Sequence, residues 1–401
     1  MPPLPGVEDS RALMLGAVTP LSLESVPLHE ARGRILAADV IANRDQPPFP
    51  ASAMDGYAVR SSDLPGRLKL AGEAQAGAGY AEALKACETV RILTGAPVPD
   101  GADRVVIQED VTRDGDHIVF GAAEGGTNIR PRGVDFKNGA LLVRKGVRLD
   151  AVALSLAAAA GAAHLPVIRR PRVALFGTGD ELVQPGESPG PHQIFDSNSF
   201  GLSALFESWG AEVHRASAEA DDLNAIAGAA RAALATADIL VVVGGASVGD
   251  RDLAKPALRT LGLNLLVEKI GVRPGKPVWF GTTEQGLVLG LPGNPASALV
   301  CSHLFLRPIL NMMFGAAPGP HLHKAKLRGP LGRNGPREHY LRAALEIDEH
   351  GQNWARPFEA QDSSLLSVFS NAECLIRLAA NEAALEDGAV IDVLPLERNL
   401  F

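Results

Sequence analysis

The stretch ILVVVGGASVGDRD, residues 239–252, decides the fold. Its apolar run, Ile239 to Val243, shows no alternation, which describes a strand covered on both faces, as in a parallel sheet between helices. The run stops at Gly244 and Gly245, where the chain can turn tightly and leave amide N–H groups facing outward. The loop then presents Ser247, Gly249, Asp250 and Asp252. In a parallel sheet such a loop lies at the carboxyl end of its strand, where phosphate-bearing ligands sit. Taken alone, the stretch equally describes an ordinary strand-to-helix connection with solvated aspartates.

Working outward, the same pattern repeats. Val173–Phe176 is apolar and ends in GTGDEL, residues 177–182, and Leu287–Leu289 ends in GLPGNPAS, residues 290–297. Between them, Asp196, Ser197, Asn198 and Ser199 are capping types before an apolar-periodic run through Leu202, Leu205, Phe206 and Trp209 to Gly210. Ala211–His214 reads as a strand, Asp221 and Asp222 precede an alanine-rich helix to about Thr236, and a helix follows over 253–261. Strands and helices alternating over about 140 residues predict an open α/β layer with a mostly parallel sheet. A helix from Pro295 to about Phe314 closes it.

The flanks have a different character. From Glu8 to Leu36 the spacing of Leu13, Leu21, Leu23 and Val26 predicts one or two helices, followed by an extended segment over 35–41. The proline-rich 45–50 cannot be helix and forms a stiff connector. Short apolar runs between Leu68 and Val119, broken by Gly, Pro and Asp, predict a small β-rich domain. LLVRKGVRL, 141–149, reads as a strand pair turning at Lys145–Gly146, and Ala151–Ala163 as a packed helix too short to cross a bilayer. Arg169–Pro171 marks a boundary, as do Gly315–Pro320. Beyond the latter, KAKLRGPL, EHYLRAALEI, NWARPFE, CLIRLA and VIDVLPL predict a C-terminal β-barrel or sandwich.

Composition bounds the function. The chain has 401 residues, 46% hydrophobic, with a formal net charge of −8 and no basic block, which argues against a nucleic-acid surface. Cys87, Cys301 and Cys374 are far apart and follow no C-x-x-C spacing, predicting reduced, buried thiols and a cytoplasmic setting. The start, MPPLPGVEDS, lacks the signature of a secretory signal, and no run is long enough to predict a membrane span. Neither a P-loop nor G-x-S-x-G nor H-E-x-x-H occurs.

If the sheet is parallel, the loops at 177–182, 244–250 and 291–297 open on one edge and converge. Asp180, Glu181, Asp250 and Asp252 then supply hard oxygen ligands beside glycine-exposed amides, the chemistry of phosphate held with Mg²⁺. Arg273 and Lys276, in RPGKP, supply compensating cations. SAMDGYA at 52–58 and LTGAPVP at 93–99 each place a hydroxyl, carboxylate or glycine at a turn, and GGTNIRPRGVD at 125–135 combines arginines with an aspartate.

These motifs in this order, together with DSNS at 196–199, resemble the molybdopterin molybdenumtransferases, the molybdenum-insertion enzymes of molybdenum-cofactor biosynthesis, related to the E domain of gephyrin. The resemblance spans nearly the whole chain. It implies a multidomain α/β plus β protein: a discontinuous N-terminal domain (1–46 and 137–168), an inserted β-rich domain (47–136), a central α/β domain with a mostly parallel sheet (169–317) and a C-terminal β-barrel (318–401). It implies a cytoplasmic homodimer that takes adenylylated molybdopterin and molybdate, uses Mg²⁺, releases AMP, and makes transient contact with the adenylyltransferase and acceptor apo-molybdoenzymes. On this resemblance Asp250, Glu181, Asp55 and Lys276 are catalytic, and Glu181, Asp250 and Asp180 hold metal. Thr94, Asp135, Gly244, Gly245, Ser247, Gly249, Arg273, Pro292, Asn294, Pro295, Ser297 and Ser364 bind substrate. Asp55, Thr94 and Asp135 are implied to act across the dimer, and Ser363, Ser364 and Ser367 form a serine-rich loop. Family members often carry lysine where this chain has Arg273, which keeps the charge with a different geometry. A binding-only protein of the same fold and an adenylyltransferase are the competing readings. The acidic residues present disfavour the first, and the extra domains disfavour the second.

Overall fold

The computed structural model describes residues 4–122, 124–216, 222–244 and 253–396. The chain divides into two compact units, Met1–Glu24 with Ile168–Phe401, and Ser25–Val167.

The first unit is organised on a six-stranded sheet in the order Glu212–Arg215, Arg172–Gly177, Ile239–Val243, Leu287–Leu291, Trp279–Thr282 and Asn264–Val267. The first four strands are parallel to one another. Trp279–Thr282 runs antiparallel to its two neighbours. The sheet is thus mostly parallel, as the unbroken apolar runs predict. Ile239, Val241 and Val243 enter one hydrophobic core and Leu240 and Val242 another, so this single strand is buried on both faces. Each such side chain contributes about 2 kcal/mol of burial. The antiparallel register pairs Trp279 with Gly290, and a β-carbon on Gly290 would overlap the indole, so glycine makes room for the largest buried side chain.

Helices Asn198–Ser208, Leu223–Leu234 and Ala254–Arg259 cover the sheet. Asp222 accepts the Ala225 amide at 2.8 Å and caps the second of them. Pro295–Met313 is one continuous helix with a π-helical turn at Ser302–Leu306. Pro308, which has no N–H to donate to the preceding turn, follows that irregularity directly. The helix is long and apolar enough to span a membrane, yet 78% of its apolar window is packed inside the protein.

In the same unit all five predicted C-terminal strands form. His323–Leu327, Glu338–Ile347, Asn353–Pro357, Cys374–Leu378 and Val390–Pro395 close on themselves, because Glu338–Ile347 pairs with both Asn353–Pro357 and Cys374–Leu378. Alternate residues, among them Leu341, Ala343, Ile376 and Val393, fill the barrel. Val272–Arg273 adds to its edge in parallel with Glu338–His339, placing Arg273 opposite His339. The N-terminal helix spans Val7–Gly16 only. Beyond Pro20 the helical spacing is not realised, and Leu23–Pro27 is a strand.

The second unit holds a six-stranded sheet, in the order Arg104–Ile107, Gly56–Val59, Glu88–Ile92, Gly66–Ala74, His117–Phe120 and Val111–Asp114. Its cores draw on residues 57–129. A separate core draws on both ends of the unit, with Val26, Leu36 and Val40 packing on Val143, Ala153 and Val167. The β-rich cores lie between these two ends in the sequence. The strand pair expected over 141–149 does not form. Leu141–Val143 pairs with Val40–Ile41, and Arg148 bridges Ile35, so both arms lie along the 35–41 segment, which offers more ladder partners than a two-residue turn. Cys301 and Cys374 are buried as expected, whereas Cys87 is exposed at a turn where its amide donates to Asp63.

Candidate functional site

The carboxyl ends of three strands of the parallel sheet meet. The Thr178 amide donates to the Val243 carbonyl at 3.0 Å, and the Gly244 amide to the Leu291 carbonyl at 3.1 Å. Gly244 has φ +90°, and a β-carbon there would sit 2.7 Å from the Thr178 carbonyl oxygen. One on Gly293 would lie 3.5 Å from the Gly244 Cα. Asn198 Nδ2 donates to the Gly293 carbonyl at 2.6 Å, tying the covering helix to the same edge. Asp196, 3% exposed, accepts the Ser199 amide at 3.1 Å and fixes that helix's start.

A cavity of about 830 Å³ opens over these loops. Gly177, Thr178, Glu181, Gly244 and Asn294 line it on one side, Lys269 and Lys276 bring positive charge, and Leu182, Ile194 and Phe195 form an apolar wall. The Glu181 carboxylate folds back over Gly179, where a β-carbon would lie 2.5 Å from its Oε2. Pro295 begins the long helix at the cavity wall, so its positive end faces the cavity.

A second cavity, of about 290 Å³, adjoins the first. Arg273, Lys276, Ser297, Arg337, Gln361 and Ser363 surround it. Lys276, Pro277, Pro292 and Asn294 border both cavities and form a shared wall. The barrel delivers the far side: Arg337 Nη1 donates to the Val272 carbonyl at 3.4 Å. Asn294 Nδ2 donates to Ser363 Oγ at 2.8 Å, and the Ala296 amide to the Ser363 carbonyl at 3.1 Å, locking the serine loop onto the helix start. Ser364 faces the larger cavity, Ser363 the smaller, and Ser367 neither. Three cations around so small a space, with hydroxyl and amide donors beside them, suit a compact oxyanion.

His339 stands behind this group, 8% exposed. Burial, and then the charges of Arg273, Arg337 and Arg342, push its imidazole down to about 4. An imidazole lowered on folding stays neutral, so its full contribution to stability is present above the unfolded value of about 6.5. That contribution is lost as pH falls from there toward 4, where the folded form also takes up a proton. Chemical-denaturation curves across this window should show the native chain losing about 3 kcal/mol more than His339→Gln. Parallel curves would remove the assignment.

In the second unit, Asp55 Oδ1 accepts both the Thr94 amide, at 2.7 Å, and the Thr94 hydroxyl, at 2.8 Å. These bonds, the amide first, hold the exposed Asp55 carboxyl below the usual carboxylate range. Asp135 borders a cavity of about 490 Å³ in the same unit, with Arg44, Arg130, Phe49 and Val134.

The structure therefore brings Glu181, Gly244, Lys276, Pro292, Asn294, Pro295 and Ser364 to one cavity, and Arg273 and Ser297 to its neighbour. Asp180 lies beside Glu181 in sequence but does not line the cavity. Gly245, Ser247, Gly249, Asp250 and Asp252 lie outside the described residues. Sequence reasoning missed Thr178, Lys269, Arg337 and Gln361. Arg337 in GPREHY carried the only local hint, a basic residue just after a Gly-Pro turn. Among the described residues no three His, Cys, Asp or Glu side chains cluster closely enough to hold a metal by themselves. A hard divalent ion held by one or two carboxylates and by ligand phosphates is nonetheless compatible with Glu181 at the cavity wall.

Fold and site define a multidomain α/β protein with a ligand cleft at the carboxyl edge of its sheet and a cationic pocket shared with a C-terminal barrel. Family models described as "MoeA N-terminal region (domain I and II)", "Probable molybdopterin binding domain" and "MoeA C-terminal region (domain IV)" match residues 6–161, 174–312 and 324–396. The chain belongs to the molybdopterin molybdenumtransferase family. It is 35% identical to the molybdopterin molybdenumtransferase of Haemophilus influenzae, covering 98% of this chain and 99% of that one. It is 33% identical to that of Nostoc sp., covering 98% and 94%. A crystal structure of the molybdopterin biosynthesis moea protein from Pyrococcus horikosii superposes with a TM-score of 0.82 at 30% identity, over 98% of this chain and 99% of that one.

Proposed function

We propose that the chain inserts molybdate into the dithiolene of adenylylated molybdopterin and cleaves the phosphoanhydride, releasing AMP. The observation that carries this reading is the shared wall: a cleft sized for a phosphorylated ligand touches a cationic pocket sized for an oxyanion. In this reading the glycine-rich loop that follows Gly244 holds phosphate, on sequence grounds, and Lys276 reaches both ligands. Arg273, Arg337, Ser297 and Ser363 hold molybdate. Two sulfur–molybdenum bonds form as one molybdate oxygen leaves as water with the two thiol protons, and a further water adds its oxygen to the pterin-side phosphorus while the bridging P–O bond breaks with AMP as leaving group. Mg²⁺, when bound, neutralises the phosphate charge and favours that displacement. Glu181 and Asp250 are the carboxylates that would hold it, the latter on sequence grounds.

The unit Ser25–Val167 exposes Ile41, Leu141 and Val152, an apolar set that supports a homodimer. A partner subunit would then offer its own Asp55, Thr94 and Asp135 to the cleft. Three unpaired cysteines are in keeping with a cytoplasmic protein.

The test is AMP release from adenylylated molybdopterin by the purified protein, with molybdate and Mg²⁺ each present or omitted. Release that needs both is the expected result. Tight binding of the pterin nucleotide without release would make the protein a carrier and overturn the proposal.

A further inference from the structure

The apolar wall of the larger cavity is built unlike the rest of its lining. Ile194 and Phe195 are consecutive residues that both border the cavity, and they are 59% and 46% exposed. They form a two-residue strand that pairs in parallel with Leu182–Val183, in a small sheet of its own. Backbone bonds clamp this strand at both ends. The Ile194 amide donates to the Glu181 carbonyl at 2.8 Å, the Asp196 amide to the Val183 carbonyl at 2.9 Å, and the Ser197 amide to the Phe195 carbonyl at 2.8 Å. The Phe195 backbone is thus fixed while its ring is not packed away.

Large apolar side chains left exposed side by side on a hydrogen-bonded frame mark a binding surface. Phe200, another exposed phenylalanine of this unit, is covered by the Arg215 guanidinium, 4.0 Å from its ring centre. The Phe195 ring has no aromatic or cationic partner among the described residues. Leu182, Ile194 and Phe195 border the larger cavity and none of them borders the smaller. They therefore suit an uncharged, flat part of the ligand that lies away from the oxyanion. In adenylylated molybdopterin the dithiolene has to reach the shared wall to meet the metal, and the pterin is fused to the ring that carries the dithiolene. The two phosphates need the lysines. The adenine is the uncharged ring beyond those phosphates.

We propose that Phe195, flanked by Ile194, is the stacking platform for the adenine and so a specificity-determining residue for the adenylylated pterin over the pterin monophosphate. This rests on the reading of the larger cavity as the pterin-nucleotide cleft. A base stacked on an aromatic side chain gains affinity without any hydrogen bond to its edge, and alanine substitution removes that gain.

The experiment is calorimetric titration of the full chain with AMP and with ribose 5-phosphate, a probe that lacks only the base. The native chain is expected to bind AMP about tenfold more tightly than ribose 5-phosphate. Phe195→Ala should bind AMP about tenfold more weakly and ribose 5-phosphate as the native chain does, with thermal unfolding near native because the half-exposed ring packs little. Phe195→Tyr, which keeps a ring, should retain the AMP affinity. A native chain that binds both phosphates alike, or a Phe195→Ala chain that either keeps its AMP affinity or loses both probes equally, overturns the inference. A Phe195→Ala chain that loses adenylylated molybdopterin but not AMP puts the pterin on this wall and overturns it as well. If the preference for AMP depends on Phe195 yet no AMP is released from the adenylylated pterin, the insertion reading fails and the adenine platform stands.

Discussion

Lys276→Met should lower molybdate-dependent AMP release about a thousandfold while leaving thermal unfolding within a degree or two of the native chain, an effect on the order of 4 kcal/mol of transition-state stabilisation. Lys276 is the one cation that borders both cavities among the described residues, so a single substitution removes positive charge from the phosphate side and the oxyanion side together. Methionine keeps the aliphatic length and deletes the charge. Lys276→Arg should recover only part of the rate, because a planar guanidinium cannot present one point charge to two ligands. Steady-state AMP release, with molybdate and pterin nucleotide varied in turn, makes the measurement. A rate within threefold of native would show that Lys276 belongs to neither ligand.

Gly275→Ala is expected to destabilise the first unit by about 3 kcal/mol or more, through strain and overpacking together. Gly275 has φ +119°, a conformation that side chains rarely adopt, and a β-carbon there would overlap the Sγ of Cys301 and sit 3.2 Å from Val272 Cγ1. Cys301 is fully buried on the long helix, and burial drives its thiol far above the ordinary range, so it packs as an apolar group. The two contributions separate in a double mutant. Adding Cys301→Ala removes the overlapping sulfur and should restore part of the loss, leaving the backbone strain. Denaturant titrations of the four proteins read both quantities, and a Gly275→Ala chain as stable as native would show that the 273–277 loop yields freely.

Much of this was legible in the sequence because the signals were local. Ile239–Val243 announced a doubly covered strand through the absence of alternation, and five short runs after Pro320 became the five strands of the barrel. The glycines ending three strands fall on one edge once the sheet is known to be parallel. What escaped was set by partners distant in the chain. Arg337 and Gln361 join Arg273 only because a two-residue strand docks on the barrel edge, which no spacing reveals. The 141–149 run looked like a hairpin because Lys145–Gly146 is a good turn, yet the 35–41 segment, a hundred residues earlier, supplied the ladder. Asp196 and Asn198 were readable as caps, and Asp196 is one, but the bond from Asn198 to Gly293 was not.

The wall between the cavities has a kinetic consequence. Pro277 and Pro292 stiffen it, and each cavity has lining of its own on the far side, so filling one compartment does not consume the other. Metal oxyanion and pterin nucleotide should therefore assemble a ternary complex in either order, their affinities coupled through the shared Lys276, giving intersecting rather than parallel double-reciprocal lines. On the proposed reading, selectivity between oxyanions of different size would then be set at Arg273, Ser297 and Arg337, which border the smaller cavity alone.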